Sequence, residues 1–348
     1  MDIHRCRFVL YPPAPINALA FSHPQAQTPG QAASARLAVG RENGDIEIWN
    51  PLNGSWLQEK VIHGGLDRSV DGLVWVNEPD QRLGDDKIVT GRLRLFSIGS
   101  SSTITEWDLV KGVPKRHATG AHGEIWCLGA QPVKSDSATP QQTTRLIAGT
   151  IKGELISYSI EDDTLRFDRV LVRSQTKKHQ LLSMAFVNRH TAVVGCSDST
   201  IRVYDLRKGM MTKTMTLGSD LAGGSKDIIV WSVKCLPGGD IVSADSTGQI
   251  CIWDGKTLTL AQRLQSHDSD ALSLAVSGDG SLITSGGMDR RTIFYKKLAG
   301  SGRWGKVWSR RYHEHDVKAM ASLESGSKNV IVSGGRHIPF PFASVSSC

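Results

Sequence analysis

The chain has 348 residues, 39% apolar and 22% charged, with 35 glycines, 13 prolines and a formal net charge of +7. This composition excludes collagen and low-complexity disorder, and the length allows two ordinary domains or one large repeat fold. Every apolar run falls short of the roughly 18 residues that a membrane helix requires, so no helical span is expected. The charge is uneven: residues 1–174 hold 19 Lys+Arg against 20 Asp+Glu, and residues 175–348 hold 22 against 14. A one-sided basic excess favours a polyanionic partner, with a merely solvated face as the plain alternative.

The N-terminus, MDIHRCRFVLYPP, has too short an apolar stretch for a secretory signal. The six cysteines (Cys6, Cys127, Cys196, Cys235, Cys251 and Cys348) are scattered, without a C-x-x-C pair. That usage suits a reducing compartment, cytosol or nucleus. After RCRFVL (Arg5 to Leu10), which fits a strand, one pattern recurs along the chain. INALAF from Ile16 leads to RLAVGRENGDIEIWN, ending at Asn50. VDGLVW from Val70 leads to RLFSIGSSSTITEWD, ending at Asp108. IWCLGA from Ile125 leads to RLIAGTIKGELISYS, ending at Ser159. LLSMAF from Leu181 leads to AVVGCSDSTIRVYD, ending at Asp205, and VWSVKC from Val230 to DIVSADSTGQICIWD, ending at Asp254. ALSLAV from Ala271 leads to SLITSGGMDRRTIFYK, ending at Lys296, and VKAMAS from Val317 to NVIVSGG, Asn329 to Gly335.

Each segment alternates large apolar with small or polar residues, the period-two signature of a strand. The closing aromatics, Trp49, Trp107, Tyr158, Tyr204, Trp253 and Tyr295, stand 58, 51, 46, 49 and 42 residues apart. A period of about 40–45 with W-D endings marks a propeller blade. The chain therefore resembles the WD-repeat family. The resemblance implies an all-β, seven-bladed propeller of four-stranded sheets around a central channel. We expect the propeller over residues 1–335. Polar stretches such as 77–92 and 133–144 read as surface loops.

A strand from one chain end would complete the last sheet and remove its open edge. Residues 5–10 fit that role. The last blade has material for two strands before RHIPFPFASVSSC, where Pro339 and Pro341 disfavour a ladder. The seventh blade is expected to be incomplete, with an irregular tail over 336–348. The family's blades often hold a polar network of His, Ser/Thr, Asp and Trp. His267, Ser285, Asp289 and Tyr295 match it most fully, and His179, Asp198 and Tyr204 in part. Asn43, Ser101, Lys152 and Thr247 stand where the Asp belongs in blades one, two, three and five.

Motifs for chemistry are weak. GSGRWG (Gly300, Gly302, Gly305) matches a dinucleotide fingerprint, but a strand follows it where a helix is needed. His313, Glu314, His315 and Asp316 look metal-like, yet neighbours on an extended chain point to opposite faces. His315 sits where a blade-opening histidine is expected. Asn53-Gly54-Ser55 is read as a turn. No metal, cofactor or small-molecule substrate is expected, and the chain is read as a non-enzyme. Residues 290–318 carry the strongest functional signal. Arg290, Arg291, Lys296, Lys297, Arg303, Lys306, Arg310, Arg311 and Lys318 face only Glu314 and Asp316, with Trp304, Trp308 and Tyr312 interleaved. Such residues can neutralise phosphates and stack on unpaired bases. Arg166, Arg169, Arg173, Lys177 and Lys178 form a second cluster.

Several strings narrow the resemblance. They are HRCRF, IEIWN with WLQE, DRSVDGLVW, RLFSIG, ITEWDL, IVWSV, SADSTGQICIWD and HDVKAMA, in this order. Together they are similar to the N-terminal propeller of cirhin-type WD-repeat subunits of the small-subunit processome. That resemblance implies a scaffold in the nucleus and nucleolus. Its partners would be other processome WD-repeat subunits of the UtpA (t-UTP) complex and ribosomal RNA precursor. It would support rRNA processing and small-subunit biogenesis, linked to rDNA transcription. The family continues into a second propeller and a helical region, whose functions are not carried over. The alternative is a substrate receptor of a cullin-type ubiquitin ligase, from the likeness of Tyr204-Asp205-Leu206-Arg207 to a W-D-x-R box.

Overall fold

A computed structural model describes residues 2–5, 14–26, 34–51, 55–65, 68–78, 81–82, 88–89, 91–132, 144–174, 179–218, 227–298, 300–325, 328–335 and 341–346. Six of the sequence repeats each fold into an antiparallel four-stranded sheet, and the sheets are arranged radially. Blade one comprises Ile16–Phe21, Leu37–Arg41, Ile46–Asn50 and Leu57–Ile62. Blade two comprises Gly72–Asn77, Leu93–Ile98, Thr103–Asp108 and Val113–Thr119. Blade three comprises Ile125–Ala130, Arg145–Thr150, Leu155–Ser159 and Arg166–Val172. Blade four comprises Leu181–Asn188, Thr191–Cys196, Thr200–Asp205 and Met210–Thr216. Blade five comprises Val230–Cys235, Ile241–Asp245, Gln249–Trp253 and Leu260–Gln265. Blade six comprises Ala271–Val276, Leu282–Gly287, Arg291–Lys297 and Trp304–Arg311.

Six sheets, not the expected seven, have this regular build. The seventh repeat lies in a five-stranded sheet that is made differently, and Gln81–Arg82 pairs with Ile88–Val89 in a small two-stranded sheet inside the stretch read as a loop. Val317–Ser325 pairs with Lys328–Gly335, which pairs with Pro341–Ser346, and Asp2–Arg5 forms the outermost strand. Gln25–Ala26 adds a short parallel pairing at Glu324 and Ser325. The strand Pro341–Ser346 corrects the expectation of an irregular tail and a blade that stops after two strands. Pro341 opens its strand, where a missing backbone donor costs least. The contribution of the chain start is also displaced: Asp2–Arg5, rather than residues 5–10, supplies the outer strand. Residues 6–10 and 336–340 lie outside the described residues.

The alternation of side chains explains the packing. The second and third strands of each regular blade are buried on both faces, while the fourth is largely exposed. Apolar side chains from adjacent sheets meet in clusters, such as Ile104, Ile125 and Tyr158 between blades two and three. Leu37, Ile16 and Val332 similarly join the five-stranded sheet to blade one. Small residues permit close approach. A Cβ on Gly286 would lie 2.5 Å from the Val317 side chain of the next sheet, and one on Gly334 would lie 2.7 Å from Ile16. Buried polar groups cross the same seams: Ser273 Oγ donates to Val317 O at 2.9 Å and Trp75 Nε1 to Ala20 O at 3.0 Å.

Two charged staples sit deeper than sequence suggests. Arg41 and Glu47 pair at 2.5 Å within blade one, and Trp49 Nε1 donates to the same carboxylate at 2.8 Å. In blade two, Arg94 donates through Nε and Nη2 to Glu106 at 2.9 Å each. Its guanidinium also donates to Ile160 O at 2.6 Å and Thr164 O at 2.9 Å, fastening blade two to blade three. Asp163 gathers Arg92, Lys115 and Arg116 at the same seam. Burial would raise its carboxyl, but these cations outweigh that and hold it well below the usual range.

Candidate interaction surface

The basic run folds onto the outer edge of blade six. The pairing of Arg291–Lys297 with Trp304–Arg311 places Arg291 opposite Arg311, Thr292 opposite Arg310, Lys296 opposite Gly305 and Lys297 opposite Trp304. Residues directly opposite across an antiparallel pair share a face. Arg290, Lys296, Lys297, Arg303, Lys306, Arg310 and Arg311 are exposed. Arg291 is half-buried and shared between Asp268, at 3.5 Å, and Asp289, at 3.9 Å. The surface is therefore a row of seven solvated cations on a rigid edge, with Arg291 held back.

The interleaved aromatics serve the fold. Trp304 is 3% exposed and packs between blades five and six, with backbone bonds to the Gln262 side chain at 2.7 and 2.9 Å. Trp308 meets Phe294 edge-on at 5.0 Å and lies 5.1 Å from Tyr312. Arg310 covers Trp308 at 5.9 Å, and Lys297 covers Trp304 at 5.6 Å. The edge can thus attract a polyanion electrostatically, but Trp304 offers no open ring for stacking.

His267, Ser285, Asp289 and Tyr295 are brought together under this edge. His267 Nδ1 lies 2.9 Å from Asp289 Oδ1 and Nε2 lies 2.7 Å from Ser285 Oγ, which is 3.0 Å from the Tyr295 hydroxyl. Burial pushes the His267 ring below its ordinary value despite the carboxylate. For Asp289, burial acts upward, but the His267 bond and backbone donors hold its carboxyl low. Related pairs recur elsewhere: Trp107 Nε1 donates to Ser97 Oγ at 2.8 Å, and Trp253 Nε1 to Ser243 Oγ at 2.9 Å. In blade four, Asp198 instead engages Thr200 and Arg202, at 2.5 and 2.6 Å.

The blade-opening histidine of the closing sheet is His313, not His315. His313 is buried, with Nε2 2.9 Å from Ser333 Oγ, whereas His315 is exposed. The signal was available in the sequence. His313 precedes Val317 by the same interval as His267 precedes Ala271. Among the described residues, no three His, Cys, Asp or Glu side chains are placed to hold a metal. Gly300 and Gly302 have positive φ and shape the turn before Trp304–Arg311. Asn53, Gly54, Lys177 and Lys178 lie outside the described residues.

Cavities among the described residues interrupt the surface. One of about 520 Å³ lies between blades one and two, beside Arg68, Ser97, Trp107 and His117. One of about 220 Å³ occupies the channel, among Asn17, Asp71, Trp231, Lys234 and Lys318. One of about 180 Å³ lies between blades three and four and is lined by four arginines. The sequence reading missed this last group because its members come from four separate loops and strands. Arg207 of the Tyr204-Asp205-Leu206-Arg207 string belongs to it. Tyr204 is buried, and Asp205 Oδ1 accepts the backbone N–H groups of Arg207 and Lys208 at 2.8 and 3.0 Å.

Comparison with known proteins agrees with the fold. A sequence profile described as WD domain, G-beta repeat matches residues 258–296, the stretch holding the complete polar network. Over 337 residues the chain is 39% identical to U3 small nucleolar RNA-associated protein 4 of Schizosaccharomyces pombe, covering 96% of this chain and 44% of the relative. It is 36% identical over 348 residues to the Saccharomyces cerevisiae protein of that name, covering 96% and 41%. The human homolog is 29% identical over 342 residues, covering 96% and 44%. The chain thus spans under half the length of these relatives. It is an all-β propeller, similar to them along nearly its whole length and matching the WD-repeat profile over one blade.

Proposed function

We propose that this WD-repeat propeller is a scaffold subunit of the small-subunit processome that supports ribosomal RNA processing in the nucleolus. The observation that carries the reading is the 36–39% identity across 96% of the chain to two proteins named for association with U3 small nucleolar RNA. The architecture fits a docking role. Radial sheets fix loops and outer edges at set positions, so several weak contacts act at high effective concentration. The blade-six edge, from Arg290 to Arg311, would contact pre-ribosomal RNA through its phosphates. Such contacts position a partner without reading its sequence. Other WD-repeat subunits of the UtpA (t-UTP) complex would occupy the remaining edges and faces, linking processing to rDNA transcription.

The His267–Asp289 and His313–Ser333 pairs are buried within sheets, which suits a structural role for them in this reading. The test is crosslinking of the tagged chain in nuclear extract, with sequencing of the RNA and identification of the proteins. Recovery of pre-rRNA and processome subunits is expected. Recovery of ubiquitin-ligase adaptor and cullin in their place would overturn the proposal in favour of the Tyr204–Arg207 docking box.

A further inference from the structure

The cleft between blades three and four holds more positive charge than acid. Arg145 and Arg169 come from blade three, Arg189 and Arg207 from turns of blade four, and His190 completes the rim. The sheet register explains the convergence. Ile147 pairs with Ser157, and Ser157 with Arg169, so these residues stand side by side on one face. Arg145 shares that face two residues from Ile147. The blade-four turns close the other side, with Leu206 N donating to His190 O at 2.8 Å.

Two acids are near, and both are engaged. Asp168 pairs with Arg145 at 2.9 Å, and Asp205 is held by backbone amides. Arg189 Nη1 donates to Pro132 O at 3.0 Å. Burial and the nearby charge of Arg145 both push the Arg189 guanidinium below its ordinary value. Among the described residues, the side chains of Arg169 and Arg207 have neither an ion pair nor a hydrogen bond. A second observation is independent of charge. The Ser157 hydroxyl, on a residue only 1% exposed, lines the cleft and has no hydrogen-bond partner among the described residues. An orphaned buried hydroxyl carries a desolvation cost that a ligand can relieve.

We infer that this 180 Å³ cleft is a phosphate-binding pocket that takes a phosphodiester of single-stranded RNA, with Arg169, Arg189 and Arg207 on its oxygens and Ser157 donating from the floor. The inference rests on the RNA-scaffold reading above and adds a site separate from the blade-six edge. Guanidinium forks match phosphate oxygens in pairs, which lysine cannot do. Arg166 and Arg173 are exposed at either end of the same outer strand, so a backbone leaving the cleft meets further cations. That continuation favours a polymer of phosphates over an isolated phosphoserine.

The test is the affinity of the whole chain for a labelled single-stranded RNA across a salt series. The R169Q/R207Q double variant removes two groups without structural partners and is expected to weaken binding about tenfold. It should reduce the slope of log affinity against log salt by up to about 0.7, the value of one phosphate contact on a single strand. Inorganic pyrophosphate should compete with RNA for the parent chain and much less for the double variant. Ser157→Ala should weaken binding a few-fold at an unchanged salt slope. Unchanged RNA affinity in R169Q/R207Q, with loss in R310E/R311E, would overturn the pocket while leaving the RNA reading intact. Absence of RNA binding by the parent would remove both. Loss in R169Q/R207Q of a phosphoserine peptide but not of RNA would overturn the RNA assignment and give the pocket a protein ligand.

Discussion

Replacing Glu106 by Gln should expose how much the fold depends on one buried pair. The side chains of Arg94 and Glu106 are 3% and 1% exposed, and two bonds of 2.9 Å join them. The neutral amide keeps the shape of the carboxylate but strands a guanidinium at the seam with blade three. Removing one partner of a buried pair typically costs about 3–5 kcal/mol, because the other charge is left uncompensated. Lys115 and Arg116, 3.5 and 3.4 Å from the same carboxylate, lose their attraction too. Unfolding entropy for 348 residues is about 0.7 kcal/mol/K, so the midpoint should fall by about 4–7 °C. Thermal melts followed by circular dichroism would measure this, with the exposed Arg36–Glu59 pair as a control expected to cost about 1 kcal/mol or less. A loss under about 1 kcal/mol for Glu106→Gln would refute the reasoning, showing that water or the flanking cations already compensate the pair.

Acid should destabilise the propeller in two stages. His267 has a lowered folded value, so the unfolded chain binds its proton first and stability falls as pH drops below about 6.5. Asp289, also lowered, contributes stability above its unfolded value near 3.8 that is lost as pH falls through the lower folded value. Denaturation midpoints from pH 8 to 5 should show the first stage, and H267Q should flatten it; an equally steep H267Q profile would assign the effect elsewhere. Ser243→Ala leaves the Trp253 indole N–H without its acceptor and should cost about 1–3 kcal/mol by urea unfolding. A neutral result there would mean the indole finds another partner. Amide exchange across 341–346 should be slow, and removal of residues 1–5 should accelerate it by exposing the strand's outer edge. Free-chain exchange rates in the parent would contradict the closing sheet.

The blades were legible because their information is local. Period-two alternation and a closing aromatic are enough to place each strand within one repeat, as with Gln249–Trp253. The His267 network was legible for the same reason, through regular offsets to Ser285, Asp289 and Tyr295. The closing sheet was not, since Asp2 pairs with Ser344 across almost the entire chain and two prolines argue against a strand. Glu47, Glu106 and Arg94 look like surface residues in sequence, and only their reciprocal bonding explains their burial. The four-arginine cleft is assembled from positions 145 to 207, so no window of the sequence shows it. Spacing alone left Trp304 and Trp308 open between two roles, because a core aromatic and a nucleobase platform have identical spelling.

Antiparallel pairing of Asp2–Arg5 with Pro341–Ser346 has a practical corollary for anything joined to this segment. Asp2 and Ser344 stand opposite each other in the ladder, although they lie 342 positions apart in the sequence. A fluorophore pair placed on these two strands would therefore report opening of the closing sheet directly, independently of the other blades.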